Sequence, residues 1–212
     1  MAQVLRDSRT RYIKQFTTPT SVQSNEISVE SLFEVNCFQQ ICSSVKAFIK
    51  IDDFKLFCEG TYSTNSTDEV KEKYRLTQQF HKEDCGLFAD IFHDENKTYI
   101  LKVFNNSMTQ DEICNEMFIS LCMSFNSSAF ILIPQIFRWN LNFVLMEFVN
   151  ATPLGKMCPS QLHINYFGVL LFYLSSMSLF SITHNDLNPG NILVSDRLIF
   201  ICDFGLSKIN DE

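Results

Sequence analysis

Three polar side chains near the end of the sequence have the types and order needed to transfer a phosphoryl group. Asp186 stands in the segment 184–191, which reads His-Asn-Asp-Leu-Asn-Pro-Gly-Asn. Its carboxylate can accept the proton of an attacking hydroxyl. Asn191 ends the same segment and Asp203 follows an apolar run, and both supply the oxygen ligands that Mg²⁺ prefers. We therefore predict Asp186 as the catalytic base, and Asn191 and Asp203 as metal ligands that bind the cofactors ATP and Mg²⁺.

A lysine in the predicted strand 98–104 is the second chemical signal. Lys102 follows Tyr99-Ile100-Leu101 and can reach the phosphates of a nucleotide if a carboxylate on the next helix holds it in place. Glu116 stands on that helix. Glu112 is its rival, but it follows Thr109 at the spacing of a capping box and fits the helix start better. We predict Lys102 and Glu116 as a catalytic ion pair.

The segment 84–91 occupies the place of a glycine-rich phosphate loop. Three glycines would let backbone N–H groups approach phosphate closely, but only Gly86 is present, with Asp84 and Ala89 at the outer positions. We predict nucleotide contacts from Gly86 and Ile91, and a weakened phosphate loop.

Residues 146–149 are predicted to connect two lobes. The segment reads Met-Glu-Phe-Val and follows an apolar strand. We expect Glu147 and Val149 to bind adenine through their backbone groups, with Met146 beside the base.

The elements that must position these residues follow from the spacing of apolar side chains. Apolar residues recur at helical steps between Leu32 and Phe48, which predicts one amphipathic helix after a polar arm. The remaining predicted elements are strands at 87–92, 98–104, 131–133, 143–146 and 197–202, a helix that starts at Thr109, and a loop at 60–68. Strands, one helix, strands, a long helix and a strand hairpin predict an α+β fold. The predicted domains are an N-terminal extension (1–80), an N-lobe with hinge (81–149) and a C-lobe (150–212).

The stretch 157–183 contains no Asp, Glu, Lys or Arg and is long enough to cross a membrane. A helix that is apolar all round is buried either in protein or in lipid. Four serines between Ser175 and Ser181, and flanks without a Lys/Arg cluster, favour a helix buried in the larger lobe. A single membrane span remains the alternative.

Charge and cysteine content narrow the class of partner. The net charge of −7 argues against broad binding to nucleic-acid backbones. The 8 cysteines form no paired CxxC motifs, which argues against a zinc site and favours reduced thiols in an intracellular protein. The first residues show no apolar signal segment, so we expect an intracellular chain.

These segments resemble haspin, an atypical Ser/Thr protein kinase. The similar segments are 86–92, 111–120 and 186–191 within a resemblance that covers about residues 81–209. The resemblance implies a bilobal protein-kinase-like fold, a protein substrate such as a threonine in the tail of histone three, action in mitosis, and a nuclear or chromosomal location. The chain departs from haspin in two motifs, because Asp203-Phe204-Gly205 replaces D-Y-T and Asn185 replaces the usual Arg. Since Glu212 follows Gly205 closely, we expect a shortened C-lobe.

Two alternatives stay open. The loop 184–193 is also similar to that of choline and aminoglycoside kinases, which predicts a small-molecule phosphotransferase. The sparse glycine loop and short C-lobe are also typical of a truncated, non-catalytic module that binds nucleotide.

Overall fold

The computed structural model describes residues 29–79, 89–126, 132–158, 160, 164–195 and 198–210. Helices and antiparallel sheets follow one another in the predicted order, so the predicted α+β class is confirmed. The polar arm predicted at the start of the chain and the phosphate-loop residue Gly86 lie outside the described residues.

Between residues 29 and 79, four helices are described ahead of the first long strand. They are α1 (Val29–Leu32), α2 (Asn36–Val45), α3 (Ile51–Thr61) and α4 (Thr67–Tyr74). The single helix predicted between Leu32 and Phe48 is wrong, because the chain turns after Leu32 and again after Val45, leaving Phe48 exposed. The predicted loop at 60–68 is shorter than expected, because Ser66 caps α4 in a capping box with Glu69.

A five-stranded antiparallel sheet forms the centre of the N-terminal part. Its strands are β1 (Gln78–Gln79), β2 (Ala89–His93), β3 (Tyr99–Phe104), β4 (Ile136–Trp139) and β5 (Phe143–Glu147), in the order β1-β2-β3-β5-β4. The strand predicted at 131–133 is wrong where it is described, since Leu132 forms only an isolated bridge with Phe200, and β4 was not predicted. One face of the sheet, with Leu101 and Leu145, packs against Val70 of α4.

The other face of the sheet carries helix α5 (Gln110–Phe125). Thr109 begins this helix in the predicted capping box, since its hydroxyl accepts the N–H of Glu112 while the Glu112 carboxylate accepts the N–H of Thr109. Phe118 of α5 lies 4.9 Å from Phe38 of α2 between ring centroids. Helices α2 and α3 therefore share one apolar core with the helix that carries Glu116.

The C-terminal part begins after a short connection at residues 148–151. It contains β6 (Thr152–Pro153), a 3₁₀ turn (Leu154–Lys156), helix α6 (Ile164–Leu179), β7 (Ile182–Thr183), β8 (Ile192–Ser195), β9 (Leu198–Ile201) and β10 (Lys208–Ile209). Strands β6, β8 and β9 form one antiparallel sheet, and β7 pairs with β10. The described residues thus form one sheet before this connection and two sheets after it, and the division into an extension, an N-lobe and a C-lobe stays a prediction.

Helix α6 is much more exposed than predicted. Tyr173 and Met177 are buried, but six large apolar side chains are exposed: Ile164, Phe167, Leu171, Phe172, Leu174 and Leu179. The prediction of a buried helix was therefore wrong for most of this surface. An apolar sequence favours apolar surroundings, but burial also requires another part of the protein to pack against the helix. None of the helices in the described residues combines the length and apolarity needed to span a membrane.

Candidate active site

Lys102 lies in the middle of the sheet and faces the C-terminal part. In the antiparallel ladder it stands opposite Ile91 on β2 and Val144 on β5, so these three side chains share one face. Its Nζ donates to Glu116 Oε1 at 2.5 Å and to Asp203 Oδ1 at 3.3 Å. Residues far apart in sequence on a strand, a helix and a loop thus meet at one ammonium group.

The charges of this group are set by burial and mutual attraction. Burial lowers the pKa of Lys102, but the carboxylates of Glu116 and Asp203 outweigh that effect and raise the pKa above its ordinary value. Burial raises the pKa of Glu116, and the neighbouring Lys102 opposes this. The raised pKa of Lys102 favours its charged form, whereas the raised pKa of Glu116 favours its neutral form. We assign the pair as charged at neutral pH, because Lys102 faces two carboxylates and must stay protonated to bridge them.

A strand hairpin brings Asn191 and Asp203 to the same end. Ile192 on β8 is paired with Ile201 on β9, and the next residues continue the contact, with the Cys202 N–H donating to the Asn191 carbonyl at 3.1 Å. Asp203 then takes a left-handed backbone with φ of 63°. A non-glycine residue rarely adopts this conformation, and such residues concentrate at functional sites.

Asp186 is held by two side-chain amides. Asn191 Nδ2 donates to Asp186 Oδ2 and to its carbonyl, both at 2.9 Å, and Asn188 Nδ2 donates to Asp186 Oδ1 at 3.1 Å. The Asn188 Oδ1 in turn accepts the N–H of Gly190 at 2.8 Å. Each carboxylate oxygen therefore has one neutral donor, which orients the carboxylate without neutralising its charge.

His184 connects the loop of Asp186 with the segment of Asp203. It is buried, its ring lies 4.9 Å from the ring of Phe204, and Nε2 lies 3.3 Å from the Cys202 carbonyl. Burial is the main reason why the pKa of His184 is lowered, so the ring favours its neutral form. It ties the segment of Asp186 to that of Asp203.

Asn191 and Asp203 carry oxygen atoms of the kind that a magnesium ion binds, and within the described residues no cluster of three or more His, Cys, Asp or Glu side chains could hold a metal. Because Asn191 Nδ2 faces Asp186, the amide oxygen on the other branch of that side chain points away from Asp186. The Asp203 side chain is half exposed, so its carboxylate remains accessible beside Lys102. An amide oxygen and a carboxylate are hard ligands of the kind that Mg²⁺ takes together with phosphate oxygens and water.

The backbone groups predicted to bind adenine differ in whether they are already hydrogen-bonded within the protein. The Glu147 N–H donates to the Gln135 carbonyl at 2.8 Å, while Glu147 Oε2 accepts the Gln135 N–H, so this backbone donor is already used. Phe148 donates its N–H to the Thr98 carbonyl. Among the described residues, Val149 has no backbone hydrogen-bond partner, which leaves its N–H and carbonyl available to a base.

Several site residues were not predicted. Asn188 stands two residues after Asp186, and its polar type within the loop was the available signal. Asn115 precedes Glu116 and donates its amide to the Ser207 carbonyl at 2.8 Å. Asn188 bonds to close neighbours in its own loop, whereas the partner of Asn115 is a backbone carbonyl 92 residues away, which no periodicity in the sequence reveals.

Comparison with known proteins gives limited similarity. No family model matches the chain. It is 38% identical over 80 residues, or 37% of its length, to a putative uncharacterized protein of Dictyostelium discoideum. It is 63% identical over 30 residues, or 14% of its length, to the probable serine/threonine-protein kinase irlE of the same organism. The chain spans 9% and 2% of the lengths of these two relatives.

Among solved structures, the chain resembles the ternary complex of APH(2")-IIa with streptomycin and ATP. The TM-score is 0.45 at 12% identity, over 70% of this chain and 75% of that chain. A similarity of this size does not establish a relationship. The 30 residues similar to the probable serine/threonine-protein kinase irlE point toward kinases, and the comparisons do not single out haspin.

Proposed function

We propose that the protein is an ATP-dependent protein kinase that phosphorylates serine or threonine. The observation that supports this most directly is the meeting of Glu116 and Asp203 at Lys102 Nζ, beside the loop that orients Asp186. Phosphoryl transfer depends mainly on positioning and electrostatic stabilisation, and this arrangement supplies both.

The reaction assigns one role to each residue. The acceptor oxygen forms a bond to the γ-phosphorus while the bond from that phosphorus to the β-phosphate oxygen breaks, and the hydroxyl proton passes to Asp186. Lys102 attracts the phosphate oxygens of ATP, and Glu116 keeps its ammonium group in place. Asn191 and Asp203 are the residues that would hold Mg²⁺, which when bound neutralises charge on the phosphates.

The proposal extends to the group that receives the phosphoryl group. The resemblance of segments 86–92 and 186–191 to haspin supports a histone-tail threonine, and with it a nuclear or chromosomal location. A fluorescent fusion of the protein would test the location. Exclusion from the nucleus throughout mitosis would contradict it.

A transfer assay with γ-labelled ATP and Mg²⁺ tests the activity. A histone three tail peptide, choline and an aminoglycoside serve as parallel acceptors. We expect label on the peptide, and loss of at least about 100-fold in Lys102→Ala and Asp186→Asn. The matched controls Lys50→Ala and Asp53→Asn change exposed residues at the start of α3 and should retain activity.

The other outcomes of the assay are equally informative. Label on choline or the aminoglycoside, with none on peptide, would replace the protein-kinase proposal by a small-molecule phosphotransferase. Binding of ATP without transfer to any acceptor would instead support a non-catalytic nucleotide-binding module. A thermal shift with ATP and Mg²⁺, compared between the natural chain and Asp203→Ala, detects that binding.

A further inference from the structure

Helix α5 is attached to the segment after Asp203 by a second contact besides its ion pair. Asn115, the residue before Glu116, donates Nδ2 to the Ser207 carbonyl at 2.8 Å. Ser207 is almost completely buried, and its Oγ donates to the His184 carbonyl at 3.2 Å. Two consecutive hydrogen bonds therefore join the helix of Glu116 to the loop that carries Asp186.

The same segment is fixed by neutral amides on its other side. Asn185 Nδ2 donates to the Leu206 carbonyl at 3.2 Å, and Asn210 Nδ2 donates to Thr183 Oγ1 at 2.7 Å. The pairing of β7 with β10 adds backbone hydrogen bonds. In the part of the chain that the structure describes, the two ion pairs both involve Lys102, so residues 204–210 are held without charged contacts.

Gly205 of this segment lies close to the ion pair that α5 forms with Lys102. A Cβ atom placed on Gly205 would lie 3.3 Å from Glu116 Oε2 and 3.4 Å from Asp203 Oδ1. A displacement of the segment relative to α5 would therefore disturb both carboxylates that contact Lys102. The Glu116 Oε2 atom is buried and has no hydrogen-bond partner among the described residues, so Lys102 alone holds this carboxylate.

We propose that Asn115 is a positioning residue for phosphoryl transfer. Its amide fixes α5 to the segment 204–207, so that Glu116 and Asp203 reach Lys102 together without a charged or phosphorylated group on that segment. This inference rests on the proposed kinase function. The hydrogen bond of the Asn115 amide goes to Ser207, not to Lys102 or Asp186, so Asn115 acts through the geometry of the ion pair.

The test compares Asn115→Ala with Asn126→Ala in the full chain. Asn126 is the residue that follows the last turn of α5, and it donates its amide to the Cys122 carbonyl at 3.0 Å, so each variant loses one amide–carbonyl hydrogen bond. Alanine has the higher helix propensity at position 115, and the loss of one hydrogen bond after the helix end is small, so both variants should fold. We expect kcat to fall about tenfold in Asn115→Ala and less than about twofold in Asn126→Ala.

Two further measurements separate positioning from general stability. Amide hydrogen exchange at residues 204–209 should accelerate in Asn115→Ala and stay unchanged in Asn126→Ala. Asn115→Asp keeps the size of the side chain but turns a carboxylate oxygen toward the Ser207 carbonyl, so its kcat should be at least as low as that of Asn115→Ala. Ser207→Ala removes the second bond and should produce the same exchange signature.

Equal kcat values and equal exchange rates in Asn115→Ala and Asn126→Ala would overturn the inference. An Asn115→Asp variant with full activity would do the same. A natural chain that transfers no phosphate would refute the proposed function instead. The exchange comparison would then decide by itself whether Asn115 holds the segment.

Discussion

At the scale of single residues, two glutamates four positions apart on α5 have different tasks. Glu116 is buried against Lys102, whereas Glu112 is exposed and accepts the N–H of Thr109 at the helix start. The spacing from Thr109 already favours Glu112 for the helix start and Glu116 for the ion pair. The two side chains lie on the same side of the helix, and they differ in position along its axis, since Glu112 stands in the first turn beside Thr109 and Glu116 stands one turn later beside Lys102.

A matched pair of substitutions separates these tasks. Glu116→Gln should lower kcat about 100-fold, because the neutral amide no longer holds Lys102 electrostatically. Glu112→Gln should leave kcat nearly unchanged and reduce thermal stability slightly through a weaker cap. The labelled-ATP assay and a thermal melt measure both. Equal loss of kcat in the two variants would contradict the assignment of the ion pair.

Tyr173 offers a residue-scale test of packing. Its side chain is almost fully buried in α6, and its hydroxyl has no hydrogen-bond partner within the described residues. Removing an unpaired buried polar group is neutral or favourable. Tyr173→Phe should therefore leave the free energy of unfolding unchanged or raise it by up to about 1 kcal/mol, measured by urea denaturation. A loss of more than about 1 kcal/mol would reveal a polar partner for this hydroxyl.

At the scale of elements, the turn between β2 and β3 depends on one aspartate. Asp94 accepts the N–H groups of Thr98 at 2.6 Å and Tyr99 at 2.8 Å. Burial raises the pKa of Asp94, but the backbone donors Tyr99 and Thr98 outweigh it and lower the pKa below its ordinary value. The turn thereby sets the register that places Ile91 opposite Lys102.

The lowered pKa predicts an acid-sensitive contribution to stability. A carboxylate whose pKa is lower in the folded state stabilises the fold above its unfolded pKa of about 3.9. That contribution disappears as the pH falls through the folded value. Asp94→Asn should lower the free energy of unfolding by about 1–2 kcal/mol at pH 7 and by much less at pH 2, measured by urea denaturation. An equal effect at both values would contradict this role.

Helix α2 acts as a support for α5 through aromatic packing. Phe38 is buried against Phe118 and Phe54, whereas Phe48 in the next turn of the chain is exposed. Phe38→Ala should reduce the free energy of unfolding by about 3–5 kcal/mol, because a large side chain leaves a cavity. Phe48→Ala should cost less than about 1 kcal/mol. Similar losses in both variants would show that α2 does not support α5 in this way.

At the scale of the whole molecule, one apolar core joins the N-terminal helices to both parts of the chain. The same cluster contains Phe38 of α2, Phe118 of α5, Tyr173 of α6 and Ile192 of β8. Shared packing of this kind favours cooperative unfolding. Fluorescence of Trp139, the single tryptophan, and far-UV circular dichroism should therefore give coincident urea transitions. Two separated transitions would show that the N-terminal helices fold independently.

Local chemistry and local spacing were readable from the sequence alone. Neighbours within a few residues were enough to recognise the motifs around Asp186, Asn191 and Asp203. The same holds for the capping box at Thr109 and for the strand that carries Lys102. These features can therefore be predicted without knowledge of the fold. The α+β class followed from the same short-range patterns, because strand and helix periods are local properties.

Only the tertiary structure decided which partners these elements meet. The division of the N-terminal helix, the exposed face of α6 and the attachment of Asn115 to Ser207 depend on contacts between distant segments. A sequence pattern records what a side chain prefers to contact. Whether a partner arrives there is set by the packing of the whole chain, since burial and hydrogen bonding both require a second surface.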